Sequence, residues 1–140
     1  MGWGMAFYSY NRVAQFADSD AAGIIHFSRI ACFVEEAEHS FLERAGYPIQ
    51  LQNPEAYHWP RIRFQAAFNR PVLPFDALRV DLFPGHVGNS SILWKWSIWK
   101  KNISDPVVAG EMKTVCCRQR GGVIEKTRLP DDLRALLLSA

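Results

Sequence analysis

Bulky and polar residues alternate from Phe7 to Phe16, with Tyr8, Tyr10, Ala14 and Phe16 on one side and Ser9, Asn11 and Gln15 mostly on the other. A period of two predicts a half-buried strand. The period then changes. Apolar residues recur at Ile30, Phe33, Val34, Ala37, Phe41 and Ala45, a spacing of three and four that lines one stripe of a helix, while Glu35, Glu36, His39 and Glu43 take the other side. The run Arg44-Ala45-Gly46-Tyr47-Pro48 predicts its end, because Gly46 can take a left-handed C′ conformation and Pro48 cannot continue the ladder.

Alternation returns further on. Gln50 to Tyr57 has no clear period and predicts a loop, whereas Pro60 to Arg70 sets Ile62, Phe64, Ala66 and Phe68 against Arg61, Arg63, Gln65 and Asn69. Prolines and an aspartate make Pro71 to Asp76 a turn. Leu78, Val80 and Leu82 point one way in the next strand, and after the break at Pro84 to Asn89 so do Ile92, Trp94, Trp96 and Ile98 of Ser91 to Lys101. Asn102 to Pro106 turns the chain into a last long strand, Val107 to Arg120, which Gly121-Gly122 ends or turns. Pro130 followed by Asp131 and Asp132 predicts the start of a short helix. The order is strand, long helix, four strands, short helix. Successive strands joined by short turns imply a mostly antiparallel sheet, and the helix must pack on it to bury its stripe, giving an α+β domain. An open sheet edge beside many aromatics implies a partner copy.

Composition narrows the picture. A chain of 140 residues supports one domain, 1–140, with its own core. Sixteen basic and fourteen acidic side chains nearly cancel, so no global field argues for nucleic acid or an anionic membrane. Tryptophans interleaved with lysines could stack bases, but Trp94 and Trp96 share the face of Ile92 and Ile98 and belong to a core. No apolar run reaches the roughly 20 residues of a membrane span. The opening Met1-Gly2-Trp3-Gly4-Met5 lacks the basic and apolar regions of a secretory signal, and Ala6 stands where a myristoylation pattern needs Ser or Thr. The expectation is a cytoplasmic protein. Cys32, Cys116 and Cys117 lack metal-ligand spacing and are expected as reduced core thiols.

The candidate chemistry lies between the first strand and the helix, in Ala17-Asp18-Ser19-Asp20-Ala21-Ala22-Gly23-Ile24-Ile25-His26-Phe27, followed by Glu35-Glu36-Ala37. This string closely resembles the hotdog-fold thioesterases of the 4-hydroxybenzoyl-CoA thioesterase type. The resemblance extends through the Pro71 to Asp76 turn and the strand order. It implies a hotdog fold, one long helix wrapped by a mostly antiparallel five-stranded sheet, in dimers often paired into tetramers. It also implies hydrolysis of acyl-CoA thioesters, with coenzyme A as part of the substrate and no cofactor or metal. Such hydrolysis needs a carboxylate near the thioester carbonyl, as nucleophile or as base for water, and a donor where negative charge develops. Asp20 matches the family's catalytic acid, and Phe27 is the residue whose backbone N–H would polarise the carbonyl. By chemistry, however, Ser28 is the better N-cap, which would leave Phe27 one residue outside the helix.

Supporting roles fall to neighbours. Asp18 is expected to shape the loop by accepting backbone N–H bonds, Gly23 to meet a backbone requirement, and His26 to be structural or to line the pocket. Glu35 and Glu36 are expected to be structural or solvent-facing, and His39 and His58 to lie at the surface or an interface. Where some relatives carry a basic cluster for the CoA phosphates, this chain has Gly88, Asn89 and Ser90, which could offer N–H and side-chain donors instead. Two other readings compete: a non-catalytic acyl-CoA-binding module of the same fold, which a retained Asp20 argues against, and a hotdog hydratase, whose acid–histidine pair is missing at matching sites.

Overall fold

The computed structural model describes residues 6–140, so the reading of the first five residues lies outside it. β1 (Tyr8–Val13) leads through a single 3-10 turn (Phe16–Asp18) and the aspartate loop into α1 (Phe27–Arg44). β2 (Tyr57–His58), β3 (Arg61–Phe68), β4 (Ala77–Val87), β5 (Ser91–Lys100) and β6 (Val108–Val115) follow, then β7 (Cys117–Arg120), β8 (Val123–Lys126) and α2 (Asp131–Leu138). The main sheet has five strands in the order β1-β4-β5-β6-β3, every pairing antiparallel. This is the hotdog architecture, with the long helix laid against one face of the sheet.

The two periods of the sequence meet in one core. From α1, Ile30, Phe33, Val34, Ala37 and Phe41 are buried, and from β5 Ile92, Trp94, Trp96 and Ile98 are buried opposite them. Phe41 meets Trp94 edge-on at 5.4 Å between ring centres. The helix stops at the expected place: Gly46 has φ +97°, and the Tyr47 N–H donates back to the Leu42 carbonyl at 2.7 Å.

Three sequence expectations change. The last long strand breaks at Cys116, whose N–H is drawn off to the Ser90 carbonyl and whose carbonyl accepts from Thr127. Beyond the break, β7 and β8 form a hairpin through Gly121-Gly122 and, with β2, a second three-stranded sheet. Phe16 is not an inward strand residue: it opens the 3-10 turn and is 74% exposed. The apolar side of β3 is only partly covered, with Ile62 and Phe68 more than half exposed while Phe64 stacks on Trp96, because β3 is an edge of the sheet.

Candidate active site

The aspartate loop is a closed hairpin. Asp20 N–H donates to the Ile24 carbonyl at 2.9 Å, Ser19 and Ile25 form a bridge, and the His26 N–H donates to the Asp18 carbonyl at 2.9 Å. Gly23 turns the hairpin at φ +78°, with open space where a side chain would be, so backbone conformation and not room requires glycine there. A second turn clamps it from outside: the Ile25 N–H bonds to the Val72 carbonyl at 2.8 Å.

Asp18 anchors this loop through its side chain. Only 4% exposed, it receives Arg29 Nε on Oδ1 at 2.9 Å, and Arg12 Nη1 and the Gln15 N–H on Oδ2 at 3.0 and 2.9 Å. Burial by itself would push this carboxyl up. The Gln15 N–H and the two guanidinium groups outweigh burial and hold it below its ordinary value. Arg12 continues the chain of contacts, donating through Nε to Glu36 Oε1 at 2.7 Å and lying over the Phe33 ring. Tyr10 also donates to Glu36. Glu36 is therefore a structural tie between helix and β1, and Asp18 carries more than backbone N–H bonds. Arg12 and Arg29 were not legible as parts of the loop, since nothing in their spacing marks two arginines from different elements as partners of one carboxylate.

Asp20 differs from Asp18 in its freedom. It is half-buried, its Oδ1 accepts the Ala22 N–H at 2.8 Å, and it takes part in no ion pair among the described residues. One oxygen is thus oriented and the other is available. The helix begins at Phe27, because His26 and not Ser28 is the N-cap: His26 is extended, and its Nδ1 accepts from the Ser28 N–H at 3.2 Å and lies 2.7 Å from Ser28 Oγ. That pattern puts the neutral ring's proton on Nε2. Phe27 therefore occupies the first helical position, where its N–H has no partner among the described residues and shares the partial positive charge of the helix N-terminus.

Gly88, Asn89 and Ser90 lie at the far end of β4 from the aspartate loop. β4 spans 11 residues, roughly 35 Å at strand rise, and its first residue pairs with Val13 just before the loop. One chain does not bring the two together. The carbonyls of Gly88 and Asn89 accept Arg134 from α2, both at 2.8 Å, and the Ser90 carbonyl accepts Cys116 N–H, so this turn is braced with Ser90 buried.

Glu38, unremarkable in the sequence, is wholly buried in α1. It receives Trp94 Nε1 at 2.5 Å, Thr114 Oγ1 at 2.7 Å and the Arg61 guanidinium, which also reaches Glu35 at 3.2 Å. Beside it, burial and then the Arg61 charge push the His39 imidazole below its ordinary value. Burial likewise pushes the Cys116 thiol up to about 12, which removes it as a nucleophile. No helix among the described residues is long and apolar enough to cross a membrane.

No family model matches the chain. Individual proteins do. A 1,4-dihydroxy-2-naphthoyl-CoA hydrolase of Trichodesmium erythraeum is 28% identical over 139 residues, covering 96% of this chain and 97% of the relative. Among solved structures, a 1,4-dihydroxy-2-naphthoyl-CoA thioesterase from Synechocystis superposes with a TM-score of 0.78 at 21% identity, covering 94% of this chain and 95% of that one. A gentisyl-coenzyme A thioesterase does so with a TM-score of 0.79 at 21% identity, covering 92% and 98%. Over almost its whole length the chain is thus similar to hydrolases of CoA thioesters, and it shares its fold with hotdog thioesterases, which together support a hotdog-fold acyl-CoA thioesterase of the 4-hydroxybenzoyl-CoA thioesterase type.

Proposed function

We propose that the chain hydrolyses acyl-CoA thioesters at the aspartate loop, with an aromatic acyl group as the class of substrate. One observation carries the reading: a carboxylate held at one oxygen and open at the other, Asp20, shares a closed loop with an unpartnered helix N–H, that of Phe27. Asp20 either attacks the thioester carbonyl or takes a proton from the attacking water. The Phe27 N–H, aided by the helix dipole, holds the oxygen as negative charge develops, and the C–S bond breaks to release CoA; attack by water gives the free acid at once, whereas attack by Asp20 leaves an anhydride that a water then hydrolyses to the acid and free Asp20. The aromatic acyl class rests on the relatives, which are named for naphthoyl-CoA and gentisyl-CoA substrates.

A second copy completes this reading. β3 is an open edge with Ile62 61% exposed beside Phe64 and Phe68. Antiparallel pairing of two β3 edges would continue the sheet and cover these side chains. It would also reverse the partner's strands, carrying its Gly88-Asn89-Ser90 turn to the end of the sheet where Asp20 lies, so that one site draws the loop from one copy and CoA donors from the other.

The test is a pair of variants. Asp20→Asn should lose several orders of magnitude in turnover on aromatic acyl-CoAs, followed by free-thiol release. Phe27→Pro, read against Phe27→Ala, which loses the same exposed ring beside His26, removes the N–H at a helix position that accepts proline, after a residue with the required extended backbone, φ −62° and ψ 138°. It should lower kcat on the order of 10²-fold while the melting temperature holds. Near-normal turnover in Asp20→Asn would sink the catalytic role. Tight binding of acyl-CoA by wild-type protein that releases no thiol would favour a binding module instead.

A further inference from the structure

The turn that clamps the aspartate loop contains a conformation its residue does not favour. Leu73-Pro74-Phe75-Asp76 closes with the Asp76 N–H on the Leu73 carbonyl at 3.1 Å, and Phe75 has φ +72°. Proline at the second position and positive φ at the third mark a type II turn, whose third position suits glycine or asparagine. A phenylalanine there is strained, since its Cβ crowds the backbone in the left-handed region. Packing does not explain the choice. Phe75 is 69% exposed, so its ring contributes little to the core.

The strain is held by the surroundings. The Phe75 N–H donates to the Ala14 carbonyl at 2.7 Å, the Ala14 N–H donates to the Asp76 carbonyl at 2.9 Å, and Asp76 takes the Leu73 N–H and pairs with Lys100. These bonds join the turn to the chain just before the 3-10 turn, while Val72 joins it to Ile25 within the aspartate loop. Phe75 is thereby fixed to the same loop cluster as two other exposed apolar side chains, Phe16 and Leu73. Strained residues held in place by over-determined surroundings cluster at sites that contact ligands. An exposed aromatic anchored on both sides to a candidate catalytic loop is such a case.

We infer that Phe75, with Phe16 and Leu73, forms an apolar clamp at the mouth of the site that stacks on a planar aromatic ring of the thioester substrate. The inference deepens the proposed function and rests on it. Two rings of an aromatic acyl-CoA have this chemistry, the acyl group and the adenine base. The clamp touches substrate away from the reacting carbon, so it sets affinity and selectivity and leaves the bond-breaking step to the loop.

The strain gives the inference an unusual test. Phe75→Asn and Phe75→Gly suit a left-handed turn, so both should melt no lower than wild type. With an aryl-CoA substrate both should raise KM about tenfold while kcat stays within about twofold, and Phe75→Tyr, which keeps a ring, should restore KM. The same aryl group on N-acetylcysteamine separates the two rings. A KM rise with both substrates assigns the acyl ring, and a rise with the CoA thioester alone assigns adenine. An unchanged KM with both, or a rise in Phe75→Tyr equal to that in Phe75→Asn, overturns the clamp, the second because only loop geometry would then be involved. Calorimetry with a non-hydrolysable aryl-CoA thioether separates this inference from the proposed function. If wild type binds the analogue and hydrolyses nothing, weaker binding by Phe75→Asn upholds the clamp and leaves catalysis refuted. Equal binding by the two refutes the clamp, and no binding by wild type refutes both.

Discussion

Replacing Asp18 with asparagine isolates the charge that holds the aspartate loop. The side chain keeps its shape but exchanges one accepting oxygen for a donating NH₂. Oδ2 serves both Arg12 and the Gln15 N–H, whereas Oδ1 serves Arg29, which is the more exposed arginine. Asparagine therefore does best by keeping its oxygen on the Arg12 side and giving up Arg29 to solvent. The loss is one charge-assisted hydrogen bond, about 1.5–3 kcal/mol, and part of the attraction to Arg12, which retains Glu36 and the Val13 carbonyl. For a domain of this size that corresponds to a fall on the order of 10 °C in melting temperature. The pH dependence is diagnostic. Asp18 has a lowered pKa in the folded protein, so its contribution is complete above the unfolded carboxyl value near about 3.9 and fades as pH falls through the lower folded value. Urea midpoints of wild type and Asp18→Asn should therefore differ equally at pH 7 and pH 5 and converge in stronger acid. A difference under about 0.5 kcal/mol at pH 7, or one that vanishes already by pH 5, would refute the reasoning.

Other outcomes follow from the buried helix and the open edge. Glu38→Ala strands the buried Trp94 N–H and Thr114 hydroxyl and leaves the Arg61 guanidinium with Glu35 alone, so urea unfolding should show a loss of about 3 kcal/mol; a loss below about 1 kcal/mol would mean that the helix tolerates those groups without Glu38. Light scattering should find wild type at twice the monomer mass or more at micromolar concentration. Ile62→Asp, which sets a charge on the open β3 edge, should shift it toward monomer and lower turnover with it, whereas an active Ile62→Asp monomer would contradict a site shared between copies.

Much of the framework was legible from periodicity because burial is what periodicity records. The stripe from Ile30 to Phe41 and the inward row Ile92, Trp94, Trp96 and Ile98 are apolar at the spacing of their elements, and both are buried where their elements face each other. The loop itself was legible for a different reason: its two aspartates and glycine between a strand and a helix resemble the thioesterase motif, and Gly23 takes the left-handed conformation. Ser28 was misjudged as the cap because propensity ranks residue types, while His26 reaches the Ser28 N–H through a geometry that its rank does not reveal.

The sequence by itself determined the long helix, the five strands of the main sheet and their order along the chain, since each depends on neighbours within a few residues, and its resemblance to the thioesterases marked the stretch proposed to carry the chemistry. Only the tertiary structure separated the two aspartates by environment. Asp18 became an anchor because Arg12 from β1 and Arg29 from α1 converge on it, and Asp20 kept a free oxygen because nothing converges there. The same holds for Glu38, whose partners come from three strands, and for Phe75, whose strain exists only because hydrogen bonds to Ala14 hold its turn in place. Contacts between residues distant in sequence decide where charge is buried and where backbone is strained, and a one-dimensional pattern carries no term for them.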